Sequence, residues 1–327
     1  MDNIISQIIT RLSQKAELDE DDIPVFNKKD YKPVRISRNN FKDIPQTFSE
    51  SKIAYIDGGN AEILAASNFS LQLIRTYYTV YKNNKRTSSK KFEFYALITA
   101  EKETYKTKVF AIKNSLDLPI PEFSQNDATI KEGNNQIKIT RIADLIRRFA
   151  EIKTAEEAVK ELKDNDFIVL DGDLQTSKTD EDHYLNSLYQ KAGNITIAAL
   201  SKTCSLFTEK GNSVPALLNQ MQKGEWYYHP IAENQEIYFT RLNKNSKYVF
   251  KMELNKNNIS ILSFLRENSK DPVFLGYPYG LIEADKFARV SNQEKEYFKT
   301  LFLTKIGKRL ENHLSAQNAH SILDKIS

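Results

Sequence analysis

Apolar residues at positions 4, 5, 8, 9 and 12 recur at the spacing of one helix face, so residues 3–16 are predicted helical. Docking on the protein's own core is the ordinary use of such a stripe, and a partner or dimer face is the alternative. Residues 17–50 lose the period, are charged and hold three prolines, and read as a meandering connection. Strands are then predicted at 53–57, 70–82, 91–100 and 104–113, the second of them long and rich in β-branched and aromatic residues. The basic stretch NNKRTSSKK at 83–91 reads as a hairpin loop, solvated in the plainer reading and touching phosphate in the sharper one. A loop or insertion is expected over 114–138, where two prolines sit among polar residues. The period changes at 139–162, where Ile142, Leu145, Ile146, Phe149 and Ile152 mark a helix. A strand at 166–171, a helix at 180–192 and a strand at 195–200 follow. The segments 226–228, 236–242 and 247–254 read as an antiparallel meander. Helices are expected at 259–269, after a turn within 276–290, and over nearly all of 293–327.

Antiparallel strands first, then helix, strand, helix, strand and helices, is the order of an α/β fold. It fits an RNase H-like mixed sheet flanked by helices, with N-terminal and mid-chain additions. In such a sheet, carboxylates at the first and fourth core strands meet at its centre, an analogy that assigns no function by itself. Residues 1–50 are expected to form an N-terminal segment available for dimer or partner contact, and 51–327 a single domain.

Composition excludes more than it selects. The 327 residues are 40% apolar and 28% charged, ordinary for a soluble protein. No stretch approaches the ~18 consecutive apolar residues of a membrane span, and the start MDNIISQ lacks the basic run of a secretory signal. A single cysteine, Cys204, forbids an internal disulfide and suits a reducing cytoplasm, the expected location. One cysteine and four histidines exclude zinc-finger frameworks. The net charge of +4 permits a local basic channel but does not argue for nucleic acid alone.

Candidate chemistry lies at two strand ends. The apolar run 53–56 meets Asp57, then Gly58 and Gly59, and FIVLDGDL at 167–174 repeats the pattern with Asp171 and Gly172. Were the two strands neighbours, both carboxylates would aim at one place and repel. Mg²⁺ or Mn²⁺ would remove that conflict, using carboxylate, water and phosphate oxygens. Glycines would let a phosphate backbone approach without a Cβ in the way. A third acid, Glu151 in RRFAEIK, stands four residues after Arg147, and on spacing alone a surface ion pair is its plainer reading. His313 and His320 share a helix face, where a metal ligand or proton shuttle is conceivable. Lys202, ending ITIAALSK, could balance phosphate charge or simply sit in water.

Together these pieces resemble the NurA nuclease family, archaeal and bacterial DNA end-processing enzymes with an RNase H-like core. The matching pieces run in order: IDGG at 56–59, RRFAE at 147–151, IVLDGDL at 168–174, ALSKT at 199–203, YFTRL at 238–242, GYPYGLIEADKFA at 276–288 and the late His320. The resemblance implies a metal-dependent deoxyribonuclease, a single-strand endonuclease, a 5′–3′ exonuclease or both. Its site would be Asp57, Glu151, Asp171 and His320, holding Mn²⁺ or Mg²⁺, with Lys202 at the phosphate. It also implies a homodimer that works with a HerA-type hexameric ATPase on DNA ends in recombination repair, with no membrane role. This chain departs from the family in three places: Gly59 and Asn60 where a serine is common, Asp173 where DGS is favoured, and Ser321 where an acid often follows the histidine.

Two other classes compete. An actin or sugar-kinase type ATPase also uses Asp-Gly turns, but needs further glycine-rich turns that a chain with 10 glycines supplies poorly. A non-catalytic DNA clamp could stack bases on Trp226, Tyr227 and Tyr228, although such aromatics are ordinarily core.

Overall fold

The computed structural model describes residues 2–15, 21–28, 30–46, 50–131, 133, 136–308, 310 and 314. In chain order the elements are α1 (Asp2–Lys15), β1 (Pro24–Val25), β2 (Phe41–Lys42), β3 (Lys52–Ala66), β4 (Phe69–Lys82), β5 (Lys85–Glu101), β6 (Thr104–Lys113), β7 (Phe123–Ser124), α2 (Ile139–Val159), β8 (Phe167–Asp171), α3 (Glu181–Ala192), β9 (Thr196–Ser201), β10 (Phe207–Thr208), α4 (Val214–Met221), β11 (Trp226–Tyr228), β12 (Ile237–Arg241), β13 (Phe250–Leu254), α5 (Ile261–Asn268), α6 (Tyr279–Ala288) and α7 (Asn292–Leu303). The fold is α/β, a mixed sheet with flanking helices, as the order of elements predicts. The chain divides into two compact units.

The first unit is Ala54–Ile168, Gln175–Ile195 and Gly280–Ser327. Its strands lie in the order β3-β4-β5-β6-β7. Asn83 and Asn84, at φ 50° and 57°, close the β4–β5 hairpin, and such a pair of positive φ values is what a two-residue type I′ turn needs. β4 is buried from Ser70 to Tyr81, because helix α2 covers one face while Leu71 and Leu73 on the other join Ile63, Leu64 and the α7 residues Phe298 and Phe302. Two of the polar side chains this buries, Thr76 and Arg75, are paired. Thr76 and Thr154 share a hydroxyl contact of 2.6 Å, and Arg75 reaches Glu93 at 2.5 Å and Glu294 at 2.9 Å. Phe149 of α2 stacks on Tyr184 of α3 with ring centroids 4.0 Å apart.

The second unit is Met1–Ile53, Val169–Leu174 and Thr196–Tyr279. Its strand order is β2-β11-β12-β13-β9-β8, and the predicted meander β11-β12-β13 is antiparallel as expected. Helix α4, capped by the Ser213 side chain, buries Val214, Leu217, Leu218 and Met221 against Trp226, Tyr228 and Phe239. The Trp226–Tyr228 cluster is therefore core and offers no rings for base stacking.

Four expectations are corrected. The first strand does not stop at Asp57: β3 runs on through Gly58 and Gly59 to Ala66, with β4 as a neighbour in the sheet. The basic loop at 83–91 is strand from Lys85 onward, because the two asparagines complete the turn alone. The stripe on α1 does not dock on the core. Ile4, Ile5, Ile8, Ile9 and Leu12 are each about half exposed or more (48–63%). Of the terminal helix, α7 ends at Leu303, and residues 315–327 lie outside the described residues.

Candidate active site

In the first unit, Asp57 lies within β3 and is 5% exposed. Its Oδ1 accepts the Gly58 amide at 2.7 Å. Glu151 arrives from α2, also 5% exposed. A Cβ on Gly58 would stand 2.6 Å from Glu151 Oε1 and 2.7 Å from its Cγ, so only glycine lets this carboxylate lie against the residue that follows Asp57. Arg147 fixes the arrangement, donating to Glu151 Oε1 at 2.7 Å and to the Gly58 carbonyl at 3.2 Å. Arg148 approaches Glu151 Oε2 at 3.7 Å. The ion pair expected from i,i+4 spacing is present, but it is not a surface pair: α2 turns its Glu151 face into the core beside Ile152 and Ala155.

The glycines also differ from expectation. The protein itself fills the space at Gly58 with Glu151, and that at Gly59 with the Ala288 carbonyl, 2.6 Å from where a Cβ would be. Gly172 is the open one. Its φ of +103° requires glycine, and nothing lies within 4 Å of its would-be Cβ.

In the second unit, Asp171 ends β8 with both carboxylate oxygens engaged. Lys202 Nζ donates to Oδ2 at 2.8 Å and the Tyr277 hydroxyl to Oδ1 at 3.2 Å. Lys202 also lies 5.7 Å above the Tyr277 ring. That ring is fully buried among Phe250 and Phe274. Lys202 is thus a partner of Asp171 and not merely a solvated strand-end lysine. Asp173 accepts from Ser201 Oγ at 2.7 Å and from Lys251 Nζ at 2.6 Å. Burial opposes the Lys251 charge, but Glu253 and Asp173 outweigh it and hold its pKa above the ordinary lysine value.

The structure therefore brings Glu151 to the Asp57 strand in one unit, and Lys202 to Asp171 in the other. His320 and His313 lie outside the described residues. Sequence reasoning missed Tyr277, although it lies in the quoted GYPYG, and missed Lys251 altogether, because one lysine inside FKMEL gives no local signal. Among the described residues no group of three or more His, Cys, Asp or Glu side chains is placed to hold a metal ion. Mg²⁺ and Mn²⁺ do not need three; one or two carboxylates with water and substrate phosphate suffice. The all-oxygen Asp57 and Glu151 fit that chemistry, and Gly58 is what lets the Glu151 carboxylate lie against the strand of Asp57. The basic residues of the β4–β5 hairpin are largely committed to acids: Arg86 to Glu283 at 2.9 Å, Lys90 to Glu157 at 3.7 Å and Lys91 to Glu93 at 3.6 Å.

Among solved structures, the chain is similar to the NurA nuclease from Sulfolobus solfataricus, at 14% identity and a TM-score of 0.50, covering 93% of each chain. It is also similar to Ciona intestinalis Endonuclease V in complex with a DNA containing inosine, at 12% identity and a TM-score of 0.40, covering 88% of this chain and 97% of that one. The catalytic domain of human Endonuclease V gives 9% identity and a TM-score of 0.40, covering 81% and 92%. No curated protein matches the chain significantly. No described helix is long and apolar enough to cross a membrane. Residues 51–290 match the NurA domain, a span holding Asp57, Glu151, Asp171 and Lys202 but not His320, and the chain belongs to the NurA family.

Proposed function

We propose that this chain is a metal-dependent nuclease that hydrolyses phosphodiester bonds in DNA. The observation that carries the proposal is the contact of buried Glu151 with Gly58, which sets a second carboxylate beside the strand of Asp57 inside the NurA match. When bound, a pair of Mn²⁺ or Mg²⁺ ions would supply Lewis-acid stabilisation of the phosphate and a water that is nucleophilic near neutral pH. Asp57 and Glu151 are the proposed ligands in one unit and Asp171 in the other. Arg147 holds Glu151 in its rotamer. Lys202 and Tyr277 orient the Asp171 carboxylate, and the Lys202 charge offsets that of an incoming phosphate. His320 keeps the proposed part in proton transfer or metal binding on the family resemblance alone.

The finer reading is DNA-end processing for recombination repair, as single-strand endonuclease, 5′–3′ exonuclease or both. A homodimer, a HerA-type hexameric ATPase partner and a cytoplasmic location belong to the same proposal. The exposed stripe on α1 supports a partner or dimer contact there, since five large aliphatic side chains face solvent on one short helix. The test is incubation of the purified chain with end-labelled single- and double-stranded DNA in Mn²⁺, Mg²⁺ or EDTA. Cleavage confined to the metal lanes is expected. Cleavage that persists in EDTA, or none with either metal even when the ATPase is added, overturns the proposal.

A further inference from the structure

Residues 172–174 follow β8 as a short turn, and polar groups from β9 and β13 pin it. Alternation along β13 puts Lys251 and Glu253 on one face, opposite Ser201 and Ala199 of β9 in register. Small residues at those two β9 positions leave room over this face. Lys251 Nζ lies 2.6 Å from Asp173 Oδ1 and 2.9 Å from Glu253 Oε1. Glu253 Oε2 accepts the Leu174 amide at 2.8 Å. Ser201 Oγ lies 2.7 Å from the same Asp173 oxygen and 2.8 Å from the Gly172 carbonyl. The Gly172 amide donates to the Leu200 carbonyl at 3.2 Å. Every residue of the turn after Asp171 is thus tied to a neighbouring strand. Lys251 is central, because it contacts two carboxylates, Asp173 and Glu253, of which one is on the turn and the other holds it.

We propose that Lys251 is a positioning residue for Asp171: through Asp173 and Glu253 it fixes the turn that aims the Asp171 carboxylate. The proposal rests on the nuclease reading above. A serine at 173 would bring no charge, whereas an aspartate beside Glu253 is stabilised by a cation, and Lys251 supplies one to both. Without it, two mutually repelling carboxylates would push the turn off β13. A shift approaching 1 Å in an orienting element costs on the order of 10²-fold in rate.

The test uses the full chain and four forms: wild type, Lys251→Met, Lys251→Arg, and Lys251→Met combined with Asp173→Ser. Cleavage of end-labelled DNA in Mn²⁺ gives kcat and KM, and urea unfolding gives the midpoint of each form. Lys251→Met is expected to lower kcat by about 10- to 100-fold with KM within about twofold. Lys251→Arg is expected to recover most of that loss, and so is the double variant, which removes the stranded Asp173 charge. The urea midpoint should fall in Lys251→Met and rise again in the double variant, a readout that needs no cleavage. An active wild type with kcat unchanged in Lys251→Met overturns the positioning role. So does a double variant that remains as slow and as easily unfolded as Lys251→Met. An inactive wild type that still shows the recovery in urea overturns the nuclease reading, and with it the catalytic purpose of the turn, while the Lys251–Asp173 tie stands.

Discussion

Replacing Gly58 by alanine would put a methyl carbon 2.6 Å from Oε1 and 2.7 Å from Cγ of Glu151. Ordinary non-bonded carbon contacts lie near 3.5 Å, so the methyl and Cγ must separate by about 0.8 Å. Glu151 cannot simply swing out. It is 5% exposed, its Oε1 is held by Arg147 at 2.7 Å, and α2 around it buries Phe149, Ala150 and Ile152. Nor can β3 shift freely, since Ile56 and Asp57 are buried on the same strand. Overpacking of this kind costs about 1–3 kcal/mol of stability. Catalytic constellations tolerate errors of about 0.5 Å, so the displacement exceeds what the site can absorb, and a rate loss on the order of 10²-fold is expected. Gly58 has no left-handed backbone conformation, so the alanine itself is unstrained and the effect reports on Glu151. Metal-dependent cleavage of labelled DNA, with urea unfolding alongside, is the assay. Shortening the acid with Glu151→Asp in the Gly58→Ala background should restore stability but not rate. A Gly58→Ala chain that cleaves within threefold of wild type at an unchanged urea midpoint would refute the reasoning.

Three further outcomes are expected. Gly280→Ala sets a methyl 2.0 Å from Cδ2 of the fully buried Tyr55 ring, a clash with no flexible end to yield, so thermal unfolding should show at least the upper part of the ~1–3 kcal/mol overpacking range; an unshifted midpoint would contradict this. Hydrogen bonding to the Arg75 guanidinium, with help from Ser291, pulls the Glu294 carboxyl from 4.5 down to about 2. A carboxyl depressed by folding stabilises above its unfolded value and loses that contribution as pH falls through the window from about 4.5 to about 2, so acid unfolding of Glu294→Gln should lack this segment of the wild-type profile. Tyr277→Phe keeps the buried ring and removes a donor to Asp171, so kcat should fall about 3- to 30-fold with little change in urea midpoint, which steady-state kinetics would show.

Element types were legible where the period was long or the turn chemistry local. The helix at 139–159 and the meander from Trp226 to Leu254 were visible because apolar spacing alone dictates them. The run of β3 past Asp57 was not, because two glycines ordinarily end a strand, and only the approach of Glu151 and of the Ala288 carbonyl explains them there. The exposed stripe on α1 was misread for a related reason: periodicity shows that a face is apolar and says nothing about what covers it. Asp57, Glu151, Asp171 and Lys202 could be nominated from motifs, whereas Glu151 as a buried group required the packing of α2. Lys251 and Glu253 act on the turn at 172–174 from a distant strand, a relation that only strand register reveals.

The central claim is tested most directly by comparing wild type with Asp57→Ala and Asp171→Ala in one cleavage assay. Labelled DNA would be incubated in Mn²⁺ with each protein, and circular dichroism would check that all three are folded. The account predicts metal-dependent cleavage by wild type and at least a 10³-fold loss in both folded variants, of the order that removing a central catalytic group produces. Cleavage at the wild-type rate by either folded variant would contradict it.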